Sequence, residues 1–231
     1  MIEWSETHRA IIDAIRRFVE AEVRPHLRDL EHGEMPPYDI LRKMVATFGL
    51  REMAAIRVEK ALKRAASRQD ARDRGEAPPV EARRESGEQV ALQILPIIEL
   101  SRYCPGMVTA LGVSAGLTAS TILSRGTPLQ IERWGLDLLT LDKIGAWAIT
   151  EPGSGSDAFG SMAATARRTD DGYVLRGQKT FITNGPHADV IVFICKLDEG
   201  NEPKDRRVLS FVVERGAKGL EQSKPLKKMG L

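Results

Sequence analysis

Two short stretches carry the residue types that could do chemistry. Trp147 to Asp157 reads Trp-Ala-Ile-Thr-Glu-Pro-Gly-Ser-Gly-Ser-Asp, an apolar run that ends in a dense turn of Thr, Pro, Gly and Ser. Gln178 to Gly185 reads Gln-Lys-Thr-Phe-Ile-Thr-Asn-Gly. In the first, glycines with no Cβ bulk let successive N–H groups approach an anion as a nest, and Ser154 and Ser156 add hydroxyl donors. In the second, strand alternation puts Phe181 and Thr183 on one face. An aromatic and a hydroxyl so placed could pack on a flat ring and bond its edge. The combination suggests a flavin nucleotide; a Gly-rich turn followed by a half-buried strand is the plainer alternative.

Other chemistries fit less well. Gly153 to Ala158 matches G-x-G-x-x-A, but the dinucleotide fingerprint needs a helix directly after the glycines to hold the pyrophosphate. Here Phe159 to Arg168 contains Gly160 and then reads as extended. Ser156, Asp157 and His187 do not form a G-x-S-x-G elbow. The four histidines, at 8, 26, 32 and 187, show no metal-ligand spacing with one another or with acidic residues. His187, beside Pro186 in a turn, is expected at the surface. No metal site is expected.

The 231 residues are enough for one large domain or two small ones with a substantial core. With 34 basic and 32 acidic residues the net charge is +2, which gives no electrostatic case for nucleic acid or an anionic membrane. Cys104 and Cys195 read as two separate buried thiols. The N-terminus lacks the pattern of a signal peptide, and no apolar run is expected to cross a bilayer. A cytoplasmic location is the resulting expectation.

The elements that must position the two stretches change character along the chain. Ser5 is placed to cap a helix with Ile11, Ile12, Ile15, Phe18, Val19 and Val23 inward, ended by Pro25. Pro36-Pro37 opens a second, with Ile40, Leu41, Met44, Val45 and Phe48 inward and Gly49 as its stop. Arg51 to Gln89 is rich in both charge signs and broken at Gly75 and Pro78-Pro79. It predicts a solvated helix, a turn and the start of another helix. Pro96 kinks or bounds a helix. A small-faced segment follows from Gly112 to Ser120. Thr127-Pro128 starts a short helix reaching Trp134. After Ile144 come strand patterns: 162–168, 173–176, 190–195 and 208–213, with turns at Asp170-Asp171-Gly172 and Asn184-Gly185. No helix-length segment separates the last two strands, so the sheet is predicted antiparallel. The fold class expected is α+β, with a helical domain at 1–143 and an antiparallel β domain at 144–231.

Trp147 to Asp157 closely resembles the TEPGAGSD segment of acyl-CoA dehydrogenases, and Gly177 to Gly185 resembles that family's GxKxxITNG segment. Their order, separation and flanks match as well, down to the Lys-Lys-Met-Gly-Leu ending. The resemblance implies FAD-dependent oxidation of an acyl-CoA thioester to the trans-2-enoyl-CoA, with electrons passed to an electron-transfer flavoprotein, in a homo-oligomer. It implies that Trp147, Ile149 and Thr150 line the pyrimidine side of the ring. Gly155 and Ser156 would approach the pyrophosphate, with Ser156 also near the CoA moiety. Phe181, Ile182 and Thr183 would flank the ring, with the Thr183 hydroxyl near N5 and the segment from Val108 to Gly116 near the acyl tail. Two departures from the family pattern stand out. The charged stretch 51–89 replaces a short Gly-rich link, and the C-terminal helical domain is absent, so the catalytic base is expected beyond Leu231. The chain is accordingly expected to be a fragment or truncated product that aggregates or binds FAD weakly alone. Alternatives on the same fold are a flavin oxidase or monooxygenase and a non-catalytic FAD-binding subunit.

Overall fold

The computed structural model describes residues 4–77 and 87–228. The expected break at Pro78-Pro79 and the last residues of the Lys-Lys-Met-Gly-Leu ending lie outside them. Helix α1 (Glu6–Phe18) starts where Ser5 Oγ accepts the His8 N–H at 3.2 Å. Ile12, Ile15 and Phe18 are buried along its inner face. Pro25 does not end the helical path. The chain widens into a π turn (Val19–Val23), tightens into a 3₁₀ turn (Arg24–His26) and resumes as α2 (Leu27–Glu31). Proline lacks an N–H and its ring crowds the carbonyl four residues back. Changing the hydrogen-bond spacing around it lets the path continue.

Helix α3 (Tyr38–Thr47) buries Ile40, Leu41, Met44 and Val45, and Gly49 at φ 60 separates it from α4 (Leu50–Asp73). The charged stretch is therefore one 24-residue helix in its first part. It is not solvated all round, because Ala54, Ala61, Ala65 and Ala71 form a buried stripe. Helix α5 (Gly87–Ser101) carries Pro96 inside it, and Glu99 on α5 is clamped to α1 by Arg16 through bonds of 2.9 and 3.1 Å.

Residues 105–125 run as one helical path: α6 (Pro105–Leu111), a π turn (Gly112–Thr118) and α7 (Ala119–Arg125). By length and composition this stretch could cross a bilayer, contrary to the expectation that no run could. Met107, Ala110, Ser114, Thr118, Ala119, Ile122 and Leu123 of this stretch are buried against the rest of the fold. Thr127 caps α8 (Pro128–Thr140) through a 3.3 Å bond from the Gln130 N–H, and this helix extends past Trp134. Ala61 and Ala65 of α4 share a core with Ile131, Trp134 and Leu138 of α8, small side chains letting the two helices approach.

The helices precede the strands, as the pattern predicted. Strand β1 (Gly145–Ala148) is followed by β2 (Thr165–Thr169), β3 (Gly172–Arg176), β4 (Val190–Leu197) and β5 (Val208–Glu214). Antiparallel pairing holds for β2–β3 and β4–β5. The sheet as a whole is mixed, however, because β1 and β2 both pair with β4 in parallel. The short 190–213 spacing fixes only the β4–β5 hairpin; the β2–β3 excursion between β1 and β4 supplies the crossover that a parallel pair needs. Central β4 is apolar at nearly every position because both its faces are covered. Val190, Val192 and Ile194 face the α4, α7 and α8 core, while Ile191 packs with Ala146, Ala148 and Ala188 on the other side.

β1 lies against the π turn so closely that Gly145 has no room for a side chain. A Cβ there would sit 2.8 Å from Thr118 Cβ and Cγ2. Gly145→Ala is therefore expected to destabilise the chain by about 1–3 kcal/mol, the usual cost of overpacking. A urea unfolding midpoint equal to the parent's would show that β1 and the π turn are not in this contact.

Candidate functional site

The two stretches become neighbouring loops. The first leaves the end of β1 and the second leads into β4, and they meet where the Thr180 N–H donates to the Thr150 carbonyl at 2.9 Å. A buried ion pair stitches them further. Lys179 Nζ donates to Glu151 Oε1 at 2.8 Å and to the Ile149 carbonyl at 2.9 Å. The same carboxylate accepts from the N–H groups of Ala163 at 2.7 Å and Ala164 at 3.0 Å. Both side chains are about nine-tenths buried or more, at 6% and 5% exposure. Burial alone would push the Glu151 carboxyl up; Lys179 and the two backbone donors outweigh it and hold the group below the usual glutamate value.

The rest of the first loop is also tied to itself. Glu151 and Ser154 exchange backbone bonds of 3.0 and 3.1 Å, and Ser154 Oγ donates to the Asp157 carbonyl at 2.8 Å. Asp157 in turn accepts from the Gly160 N–H at 3.2 Å and the Ser161 hydroxyl at 2.6 Å. With the Ala163 and Ala164 N–H groups taken by the Glu151 carboxylate, residues 162–164 are loop and β2 begins at Thr165. Among the described residues, no protein group pairs with the hydroxyls of Thr150, Ser156 or Thr183, or with the N–H groups of Gly155 and Ser156. Gly153 and Gly155 have nothing within 4 Å of where a Cβ would stand.

The second loop corrects one expectation. Residues 179–184 are not a strand, because Phe181 at φ 54 and Asn184 at φ 65 are left-handed. Phe181 and Thr183 therefore do not share a face by alternation. A bulky aromatic held in that region is strained, and its ring is 63% exposed with Lys228 Nζ 4.2 Å from its centroid. Trp147 and Ile149 pack on the helix-facing core, and Ile182 packs with Ala146, Ala148 and Ala188 on the opposite face of the sheet. The structure thus brings Thr150 and the Phe181–Thr183 turn alongside each other through the Thr150–Thr180 bond, while Trp147 and Ile182 lie on opposite faces. Gly155 and Ser156 are exposed at the outer end of the first loop.

Other residues resolve open points. His187 is partly buried against Tyr38, with ring centroids 5.5 Å apart. Burial, helped by Arg215, pushes its pKa down. Cys104 and Cys195 are buried and free, and burial pushes the Cys195 thiol up to about 11. The Glu151–Lys179 pair and the buried Asn184 are the site residues that sequence reasoning missed. Both halves of the pair stood inside the two stretches, but nothing in spacing said that they meet.

A family model described as acyl-CoA dehydrogenase, middle domain, matches residues 146–231, and one described as acyl-CoA dehydrogenase, N-terminal domain, matches residues 5–56. The chain is 30% identical over 217 residues to a short-chain specific acyl-CoA dehydrogenase of Clostridium acetobutylicum, covering 94% of this chain and 50% of that one. It is 35% identical to the mitochondrial isovaleryl-CoA dehydrogenase of Pongo abelii, covering 60% of this chain and 32% of the relative. Among solved structures it is similar to an acyl-CoA dehydrogenase from Geobacillus kaustophilus, with TM-score 0.72 and 30% identity, covering 97% of this chain and 52% of the other. It is also similar to one from Bacillus anthracis complexed with FAD, with TM-score 0.68 and 30% identity, covering 99% of this chain and 34% of the other. The chain spans about half the length of the relatives that match most of it.

The ion pair makes a stability prediction with a pH signature. Lys179→Met leaves a buried carboxylate without its cation and should cost about 3–5 kcal/mol at neutral pH. Because folding lowers the Glu151 pKa, its contribution is full above the unfolded value and is lost as pH falls through the folded one. The gap between parent and variant should therefore narrow in acid, below about pH 4. Urea titrations across that range check it, and a gap independent of pH would refute the assignment.

Proposed function

The chain belongs to the acyl-CoA dehydrogenase family, and on that footing we propose that it forms the FAD-binding wall of an enzyme that oxidises an acyl-CoA thioester to the trans-2-enoyl-CoA. The observation that carries this reading is the division of labour in the two loops. Glu151, Ser154, Asp157 and Lys179 spend their hydrogen bonds on the protein. Thr150, Ser156 and Thr183 have hydroxyls with no protein partner among the described residues, and these are the groups the family resemblance assigns to the cofactor. The open backbone at Gly153 and Gly155 leaves room for a pyrophosphate to approach, so the residues present fit the group.

On this reading Gly155 and Ser156 hold the pyrophosphate through N–H and hydroxyl donors. Trp147, Ile149 and Thr150 bound the pyrimidine side of the ring, and Phe181, Ile182 and Thr183 flank it. Bound FAD would supply the hydride acceptor. Donors from Thr150 and Thr183 favour the more negative reduced ring, a preorganised electrostatic effect. Glu151 is excluded as the α-proton base, since its carboxylate is committed to Lys179, Ala163 and Ala164. An electron-transfer flavoprotein is the proposed electron acceptor. Action within a larger assembly, including a homo-oligomer, is supported by the exposed apolar stripe Val90, Ile94, Ile97 and Ile98 on α5, each 38–46% exposed.

FAD titration followed by flavin fluorescence tests the site. Phe181→Ala and Ser156→Ala are each expected to weaken FAD about tenfold, equivalent to about 1.4 kcal/mol. Their stabilities should move little, by about 0.5 kcal/mol or less, because Ser156 makes no side-chain bond and the exposed Phe181 ring meets only the Lys228 ammonium among the described side-chain contacts. Absence of saturable FAD binding by the parent chain would sink the reading.

A further inference from the structure

The turn that displays Phe181 and Thr183 is pinned at both ends. Thr180 holds one end through its bond to Thr150. Asn184 holds the other: Tyr38 Oη donates to its Oδ1 at 3.0 Å, and its Nδ2 donates to the carbonyls of Ala110 and Gly145 at 2.9 Å each. Two carbonyl acceptors and one hydroxyl donor fix the amide's orientation without ambiguity. Asn184 is 7% exposed, and its partners belong to three elements, α3, α6 and β1.

The geometry explains why this anchor is needed. Asparagine adopts the left-handed region at little cost, whereas Phe181 does so only if its surroundings over-determine it. Within the turn, the Gly185 N–H bonds the Ile182 carbonyl at 2.8 Å and the His187 N–H bonds the Asn184 carbonyl at 2.9 Å. Those bonds close the turn but do not orient it relative to the helices. The Asn184 side chain does that by hydrogen bonds to α3 and α6, beside the packing of His187 on Tyr38, and Ala110 lies on α6, which runs directly into the π turn against β1.

We infer that Asn184 is a positioning residue. Bonded to Tyr38, Ala110 and Gly145, it sets the orientation in which Phe181 and the Thr183 hydroxyl face the flavin; the inference rests on the FAD reading of this site. Displacement of α3 or α6 would then reach the cofactor through one amide rather than through the sheet.

Tyr38→Phe in the full chain deletes a single hydroxyl and keeps the ring that packs on His187. FAD affinity should fall about tenfold, and the midpoint potential of bound flavin should move negative as the Thr183 donor loses its aim. Asn184→Ala should move both readouts further in the same direction; if it does not fold, Tyr38→Phe decides alone. A lower unfolding midpoint with parent-like FAD affinity and potential would mean that the contact is structural only, and would overturn the inference. Failure of the parent chain itself to bind FAD is a different result: it removes the site reading and this inference with it.

Discussion

The buried pair between Glu151 and Lys179 is the interaction on which the rest of the site depends. Either charge alone in that position would be costly, since desolvation of an ion is repaid only by a close partner and further hydrogen bonds. Here the repayment is complete on the carboxylate side, with one ammonium and two backbone N–H groups converging on it. The pair spans three segments: the end of β1 through the Ile149 carbonyl, the lead into β2 through Ala163 and Ala164, and the lead into β4 through Lys179 itself. A hydrophobic pair of the same volume could be equally stable, but it could not satisfy those particular backbone groups.

That commitment frees other groups. A loop rich in Gly, Ser and Thr normally folds back on its own backbone through hydroxyl bonds. Ser154 and Asp157 do so here, and they give the first loop its shape without drawing on Ser156. Likewise the strained Phe181 is tolerated because Thr180 and Asn184 fix the chain on either side. Rigid anchors next to uncommitted donors are what a preorganised binding surface requires.

Much of the fold was legible because its signals are local. Ser5 and Thr127-Pro128 cap helices, Gly49 breaks the path between α3 and α4, and the runs at 190 and 208 are strands. What escaped was decided by contacts distant in sequence. Pro25 reads as a stop, yet packing of Val19, Val23 and Leu30 keeps the path helical through a change of pitch. The alanines of α4 look unremarkable among charges until α8 lies on them. The parallel register of β1 on β4 has no local mark. The 179–185 stretch reads as alternating, but the bonds at Thr180 and Asn184 impose two left-handed residues instead. In the candidate site, the two stretches stood out as motifs but the way they meet did not, for the same reason.

The joint between helices and sheet follows one logic throughout. Its area is apolar, with Ile122, Ile131 and Leu138 against Val190, Val192 and Ile194. Apolar contact is non-directional, so by itself it would let the layers slide. Directional bonds remove that freedom at three separate points. Ser114 Oγ accepts the Gly145 N–H at 2.9 Å, Trp134 Nε1 donates to Glu214 at 2.8 Å, and Tyr38 reaches Asn184 at 3.0 Å. Two of the three bear on the ends of the segments that carry the candidate site: Gly145 opens β1, and Asn184 closes the Phe181 turn. Specificity of register at the joint is thus also specificity of geometry at the candidate site, and a substitution that loosens the helical layer shifts that geometry without touching either loop.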